Sequence, residues 1–421
     1  MILSREQQRW RINVFAATWM SYAGYYFCRK AFGIVKVPLK ALLEVDDFSL
    51  AHIWTAYLVA YMCGQFLSGW LGTRYTCRRL LLGGMAITLV CNLGFGAVVH
   101  LGPDAYWPFF GLMILNGFAQ STGWPGNIGT LAHWFRRDER GGLLGLWATC
   151  YQLGSVAAKA FAGFMYVWAG LSWSFWGASC VLFPVWIFVY LRQRDRPETV
   201  GLEPIVPDPP PTEENPEGDD ARWPATVIRT LLVMGAAYFS FKFLRYALDS
   251  WTATVLTERF GLDADTAAYV SVIFDVCGFL GVIAAGYATD RFFASRRALV
   301  AFVMAVGMVG AALFLQTTGV TSVVLFAVGL GLLGFTLFGP DSLLSGVGAI
   351  DVGSKRKAVL AAGIVNGMGS AGPVIQEEVI GYLKTYHSLD AVFLLLVFVA
   401  FIGAIGTGIL WWWGRRGLSR F

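Results

Sequence analysis

Apolar stretches recur along the chain at 12–35, 50–72, 80–99, 107–131, 142–167, 170–191, 225–256, 266–288, 298–317, 321–345, 357–384 and 389–413. Each is close to the roughly 20 residues that a helix needs to cross the hydrocarbon core of a bilayer. Only helices and closed barrels satisfy their own backbone there, so the pattern predicts twelve membrane-spanning helices. In 421 residues these spans and their connections leave little for a separate soluble domain. Charged residues make up 14%, well below the roughly 25% of soluble domains, which excludes a soluble enzyme. The first stretch follows Arg5, Arg9 and Arg11 as a signal peptide would, yet it is too long, carries Arg29 and Lys30 and lacks a small-residue cleavage site. It is read as a span.

The net charge of +5 sits mainly in short connections between apolar runs, where it sets topology; it does not mark a nucleic-acid surface. With a cytoplasmic amino terminus, the opposite side is left with only Lys36, Lys40, Arg259 and Lys384 among its connections. Both termini are therefore expected in the cytoplasm. Residues 192–223 carry an excess of proline and acid and are read as a flexible cytoplasmic linker. It separates an amino-terminal six-helix bundle, 1–191, from a carboxy-terminal one, 224–421. The seven cysteines mostly lie inside apolar runs without a C-x-x-C pair, as small core fillers.

The two halves repeat at an offset of about 216 residues. Gly69-Trp-Leu-Gly-Thr-Arg74, with Arg78 and Arg79 behind it, answers Gly286-Tyr-Ala-Thr-Asp-Arg291, with Arg296 and Arg297 behind it. Gly123-Trp-Pro125 is echoed by Gly339-Pro340, and Arg29 by Arg245. Two six-helix bundles in parallel repeat are the architecture of the major facilitator superfamily, and the paired basic loops resemble its signature between the second and third helices. In that setting Arg74 and Arg291 anchor the loops, while Asp290 can engage a neighbouring helix end when the cytoplasmic gate shuts. The first half has Thr73 in place of that acid.

A charge at the centre of a span costs about 2.5 to 3.5 kcal/mol on insertion scales, so such residues mark a cavity and partners. The basic set is Arg29, Lys30, Lys159, Lys242 and Arg245, and the acids in or near spans are Asp249, Asp275, Asp341, Glu377 and Glu378. Tyr22, Tyr25 and Tyr26 share a helix face with Arg29. Matching positions in two pseudo-symmetric halves place Arg29 and Arg245 on opposite walls of one central cavity, where two guanidinium forks suit a dianionic phosphate or carboxylate. The alternative reading pairs each arginine with an internal acid, for example Arg245 with Asp249 or Asp275.

Tyr25-Tyr-Phe-Cys-Arg-Lys30 with Phe32 and Pro38, Asn116-Gly117 through Gln120-Ser-Thr-Gly-Trp-Pro125, His133-Trp-Phe135, Glu139-Arg-Gly-Gly142, and Leu244-Arg-Tyr246 through Asp249-Ser-Trp251 together resemble the organophosphate:phosphate antiporters. The resemblance covers nearly the whole chain apart from the linker. It implies a rocker-switch carrier that exchanges inorganic phosphate for a phosphorylated metabolite of sugar phosphate, glycerol phosphate or phosphoglycerate type. Arg29 and Arg245 would be the phosphate ligands, Lys30 would add field strength, and Tyr22, Tyr26, Tyr61 and Trp124 would form pocket walls. Gln65 stands where the glycerol-3-phosphate and hexose-phosphate carriers have a lysine, and Tyr151 where the glycerol-3-phosphate carrier has a histidine, so the pocket is less cationic than theirs. Lys159 and Lys242 could compensate, although Lys159 could equally snorkel toward the outer surface. Asp275 matches a family acid that would tie Arg245 down between substrate visits, and Glu377 could accept sugar hydroxyls, pair with Lys242 or bind a proton.

Exchange follows from charge on this reading. Two uncompensated guanidinium groups resist occlusion until a phosphate neutralises them. Two rivals remain at this level: a sugar-phosphate sensor with little transport, and a proton-coupled symporter of another organic anion using Asp275 or Glu377. No P-loop is present and the four histidines are scattered, so the expectation is a carrier without catalytic residues, metal or cofactor. It would work as a monomer with small-molecule partners and the lipid bilayer, and without nucleic acid. The absence of an N-x-[ST] sequon points to a bacterial plasma membrane.

Overall fold

The computed structural model describes residues 3–206, 223–293, 296–419 and 421. These residues form an all-helical protein: α1 Arg5–Ile34, α2 Lys36–Leu43, α3 Asp47–Arg74, α4 Cys77–Val98, α5 Tyr106–Ser121, α6 Gly123–Trp134, α7 Arg140–Ala169, α8 Leu171–Arg192, α9 Ala225–Phe260, α10 Ala264–Arg291, α11 Arg297–Thr317, α12 Val323–Ser342, α13 Ala349–Tyr386 and α14 Leu389–Arg415. Side chains that accept from the first-turn amides start many of them. Ser4 forms a capping box with Gln7, and Asp46, Thr76, Asp263, Ser322 and Ser388 cap α3, α4, α10, α12 and α14. A π-helical turn, Leu343–Gly348, joins α12 to α13, and α13 breaks at Ser354, whose φ is +66°.

The chain divides into two compact units, Met1–Arg136 with Trp147–Ala221 and Ser354–Gly363, and Arg137–Leu146 with Arg222–Gly353 and Ile364–Phe421. One pairing scheme is used twice. In the first unit α1 packs on α8, α3 on α5, and α4 on α8 and α5; in the second α9 packs on α14, α10 on α12, and α11 on α14 and α12. Large apolar side chains such as Val90, Val167, Val324 and Phe398 face outward, whereas Thr18, Ser21, Asn92, Gln120 and Thr130 are buried. That inversion of the soluble pattern suits a hydrocarbon surround.

Two findings differ from the sequence expectation. Eight segments among the described residues are long and apolar enough to cross a membrane, so the count of twelve is not reproduced on that criterion. The expected site is one reason, because Tyr22, Tyr25, Tyr26 and Arg29 dilute the apolarity of α1. Continuity of helical backbone is another, since a single segment Cys77–Trp134 runs through α4, α5 and α6 and merges two expected spans. The units also depart from bundles cut at residue 191, because each takes in a short piece of the other half of the sequence. The exchange has a close-packing basis. A Cβ on Gly363 would lie 2.7 Å from Gly69 Cα, so α3 and the Ser354–Gly363 segment approach at a pair of glycines.

The start of the proline-rich and acid-rich segment is folded against the first unit. Gln193 Nε2 donates to Thr130 Oγ1 at 2.8 Å and to Asp195 Oδ1 at 2.9 Å, and the Arg78 amide donates to the same Asp195 oxygen at 2.8 Å. Trp134 Nε1 donates to Arg194 O at 2.8 Å, Gln7 Nε2 to Glu203 O at 3.2 Å, and Lys355 Nζ to Val206 O at 2.5 Å. Ile205 is buried. The rest of the expected linker, 207–222, lies outside the described residues.

Candidate substrate site

In the first unit the centre is Arg29, which α1 buries to 6% exposure. Its Nε donates to Gln120 Oε1 at 2.9 Å, Tyr57 Oη donates to the same oxygen at 2.9 Å, and Gln120 Nε2 donates to Asn116 Oδ1 at 3.2 Å. The last pair is four residues apart on α5, so one helix face presents the whole amide relay. The guanidinium carbon stands 4.9 Å from the centre of the Tyr26 ring and 4.8 Å from that of Tyr61, within cation–π range. Nη2 is buried and makes no hydrogen bond. The fork is thus clamped along one edge by a neutral amide, and its buried Nη2 keeps an unused donor.

An aromatic wall continues from it. Tyr22 lies 5.8 Å from Tyr26, 5.2 Å from Trp124 and 5.9 Å from Trp147, and Trp124 lies 5.4 Å from Trp147 and 6.3 Å from Tyr151. Trp147 Nε1 donates to Thr18 Oγ1 at 3.1 Å. The Ser121–Thr122 break between α5 and α6 brings Trp124 into this group, and Gly123 lets it in: a Cβ there would meet the Tyr25 ring at 2.9 Å. Gln65 is fully buried and Lys30 half-buried. The structure therefore gathers Tyr22, Tyr26, Arg29, Tyr61, Trp124 and Tyr151 in one region of the first unit. It adds Tyr57, Gln120 and Trp147, which sequence reasoning had given no role; the spacing of Asn116 and Gln120 was the available signal for the relay.

In the second unit the matching arginine is already paired. Arg245 Nη1 donates to Asp341 Oδ2 at 2.9 Å, and the Asp341 side chain is 1% exposed. The sequence shows Asp341 only as an acid in a span and offers Asp249 or Asp275 to Arg245. It follows Pro340 at the end of α12, directly before the π-helical turn, a backbone irregularity of the kind found at functional sites. One turn before Arg245 on α9, Lys242 is buried, with Nζ 2.6 Å from Asn366 Oδ1 and 2.8 Å from Ser370 Oγ, both on α13. Glu377 is half-buried and accepts from Gln376 Nε2 at 2.5 Å, so the pairing considered between Glu377 and Lys242 is not formed. Asp275 is half-buried on α10.

A charge cluster occupies one end of the second unit. Asp290 Oδ2 accepts from the Gly142 amide at 2.6 Å, at the amino-terminal turn of α7, and Asp290 Oδ1 accepts from Arg297 Nη1 at 2.7 Å. Arg297 Nε and Arg140 Nη1 meet the two oxygens of the buried Asp351 at 3.1 and 2.8 Å, and Arg297 Nη2 donates to Arg137 O at 2.7 Å. Asp290 thus engages a helix start, where a carboxylate is favoured by the macrodipole. The arginine at the middle of the cluster is the fully buried Arg297. Arg291 is exposed, and Arg74 is exposed with its guanidinium 4.1 Å from the Trp70 ring centre.

With this geometry in hand, comparison with known proteins gives the family. Residues 15–374 match the Major Facilitator Superfamily. The chain belongs to that superfamily. Among curated relatives, the glycerol-3-phosphate transporter of Bacillus subtilis is 26% identical, with 97% of this chain and 94% of that protein covered. The membrane sensor protein UhpC of Escherichia coli is 28% identical, with 85% and 82% covered. Among solved structures, the transporter FucP in the outward conformation aligns with a TM-score of 0.73 at 14% identity over 94% of this chain and 98% of that one. The proton:xylose symporter XylE bound to 6-bromo-6-deoxy-D-glucose gives 0.72 at 13%, with 95% of each chain covered. These two likenesses concern the fold. The chain is a multi-pass membrane protein of a transporter superfamily, and its relatives are not enzymes.

Proposed function

We propose that this protein is a carrier that exchanges inorganic phosphate for a phosphorylated organic metabolite of sugar phosphate or glycerol phosphate type. The observation that carries the reading is Arg29: a buried guanidinium, clamped by Gln120 and flanked by Tyr26 and Tyr61, with Nη2 left without a partner. A buried donor of this kind is costly unless a ligand meets it, and a planar fork suits a phosphoryl group. The curated relatives named for glycerol 3-phosphate support the same substrate class.

Arg29 and Arg245 are assigned as phosphate ligands, with Lys30 and Lys242 supplying additional positive field. Tyr22, Tyr26, Tyr61, Gln65, Trp124 and Tyr151 are assigned to the organic moiety, and Asp275, Glu377, Asp290, Arg74 and Arg291 to charge compensation and gating. Rocker-switch alternating access then depends on neutralisation. Because Arg245 has Asp341, the compulsory coupling of return to occupancy rests chiefly on Arg29. Orientation with both termini cytoplasmic in a bacterial inner membrane, and function as a monomer, belong to the same reading.

The test is counterflow into liposomes holding the purified protein. Labelled phosphate should enter only when phosphate or an organophosphate is trapped inside, and the flux should persist with protonophore. The 28% identity to a membrane sensor favours one alternative, a sugar-phosphate receptor; saturable organophosphate binding with no flux would select it.

A further inference from the structure

Arg29 and Arg245 stand at matched positions of a repeat, yet their partners differ in kind. Arg29 meets a neutral amide, Gln120, whereas Arg245 meets a carboxylate, Asp341. The first half has no acid in the stretch that answers Gly339-Pro340-Asp341; it reads Gly123-Trp-Pro-Gly126. A neutral amide orients a guanidinium without cancelling its charge. A carboxylate cancels it.

Asp341 is also only half satisfied. Oδ2 takes the Arg245 hydrogen bond, while the buried Oδ1 has no hydrogen-bond partner. The charges that act on Asp341 are those of Arg245 and Lys242, both on α9. Among the elements packed on α12, α10 carries the half-buried Asp275. Lys242 Nζ is held by Asn366 and Ser370. Arg245, Lys242 and Asp341 together sum to +1, so a dianion arriving with Asp341 still ionised would bring these groups to −1, with the carboxylate facing the phosphate.

We propose that Asp341 is a resident counter-anion of Arg245 that substrate phosphate displaces, and that it yields by taking up a proton. This rests on the phosphate reading above. The Arg245 Nη1–H hydrogen bond passes from Asp341 Oδ2 to a phosphoryl oxygen. A proton from solvent forms an O–H bond at Oδ1, the oxygen without a partner, and the acid then donates toward the phosphate instead of repelling it. These three groups with their dianion become neutral, and each phosphate bound brings one proton with it. Asp341 thereby separates phosphate monoesters, which supply the second negative charge that displaces it, from singly charged carboxylates.

Calorimetric titration of the full-length protein in nanodiscs with inorganic phosphate, at a pH where phosphate is a dianion and in buffers of different ionisation enthalpy, reads the proton count directly. The wild type should take up about one proton per phosphate bound. Asp341→Asn should take up none and bind phosphate about tenfold more tightly or better, because no ion pair has to be broken. Asp341→Glu should keep the uptake. Phosphate binding by the wild type without proton uptake, or uptake retained in Asp341→Asn, overturns the role of Asp341 and leaves the phosphate reading standing. If neither the wild type nor Asp341→Asn binds phosphate while both melt cooperatively, the phosphate reading falls, and this inference with it.

Discussion

Arg29 and Tyr57 donate to one and the same oxygen, Gln120 Oε1, each at 2.9 Å. An amide oxygen with two lone pairs satisfies both donors at once, and Asn116 receives the amide nitrogen. A tyrosine on α3 and two amides on α5 therefore decide the direction in which an arginine on α1 points.

Arg29→Lys keeps the charge but loses both the Nε anchor and the fork. Phosphate counterflow should fall about ten- to a hundredfold, the equivalent of one charge-assisted hydrogen bond of about 1.5–3 kcal/mol. Gln120→Leu should lose less, since the fork remains while its orientation is freed. Full activity in Arg29→Lys liposomes would remove the bidentate contact from the reading.

Arg297 is fully buried and holds Asp290 and Asp351 at once. Breaking such a network by removing one partner typically costs about 3–5 kcal/mol, because the charge left behind stays buried. Arg297→Met should lower the thermal unfolding midpoint markedly. Asp290→Asn should lower it less, because a side-chain oxygen still faces the Gly142 amide. Equal midpoints for Arg297→Met and wild type would show that the cluster contributes nothing to stability.

Gly363→Leu places a Cβ 2.7 Å from Gly69 Cα and from Gln65 O, both backbone atoms that cannot swing aside. The overpacking should cost about 1–3 kcal/mol or more and reduce the yield of folded protein. Gly83→Ala, where a Cβ meets nothing within 4 Å, should be neutral in the same expression and melting assays.

Asp195 supplies the pH dependence. Burial pushes its carboxyl above the ordinary aspartate range, and the hydrogen bonds from Gln193 and the Arg78 amide offset this only in part. The folded protein thus disfavours the ionised form. The contribution of Asp195 to stability is complete below its unfolded pKa and is lost as pH rises through the higher folded value. Asp195→Asn retains an oxygen for the Arg78 amide and no longer titrates. Melting curves collected from acid toward neutral pH should show a wild-type decline, relative to Asp195→Asn, across that window; parallel curves would contradict it.

The repeat was legible because it is a matter of spacing. Arg29 and Arg245, the two basic loops and the two Gly-Pro landmarks all register at about the same offset, and the two units pair their helices by one scheme. Helix-face arithmetic likewise put Tyr22 and Tyr26 beside Arg29. That Asp341 meets Arg245 was not legible, since Asp249, Asp275 and Asp341 all lie in apolar runs and the rotation of each helix about its axis decides which acids face the arginine. Ile205 and Pro197 sit in a segment of linker composition, yet both are buried; local composition averages away two apolar residues that tertiary packing can use.

What the sequence determined by itself is the class of protein and the presence of two guanidinium groups inside apolar spans. A bilayer demands apolar length, and any charge inside that length must be paid for, so both signals survive in one dimension. Tertiary structure alone decided which neighbour each guanidinium received, an amide for Arg29 and a carboxylate for Arg245. That choice depends on which faces of α5 and α12 turn inward, which hydrophobic periodicity does not record.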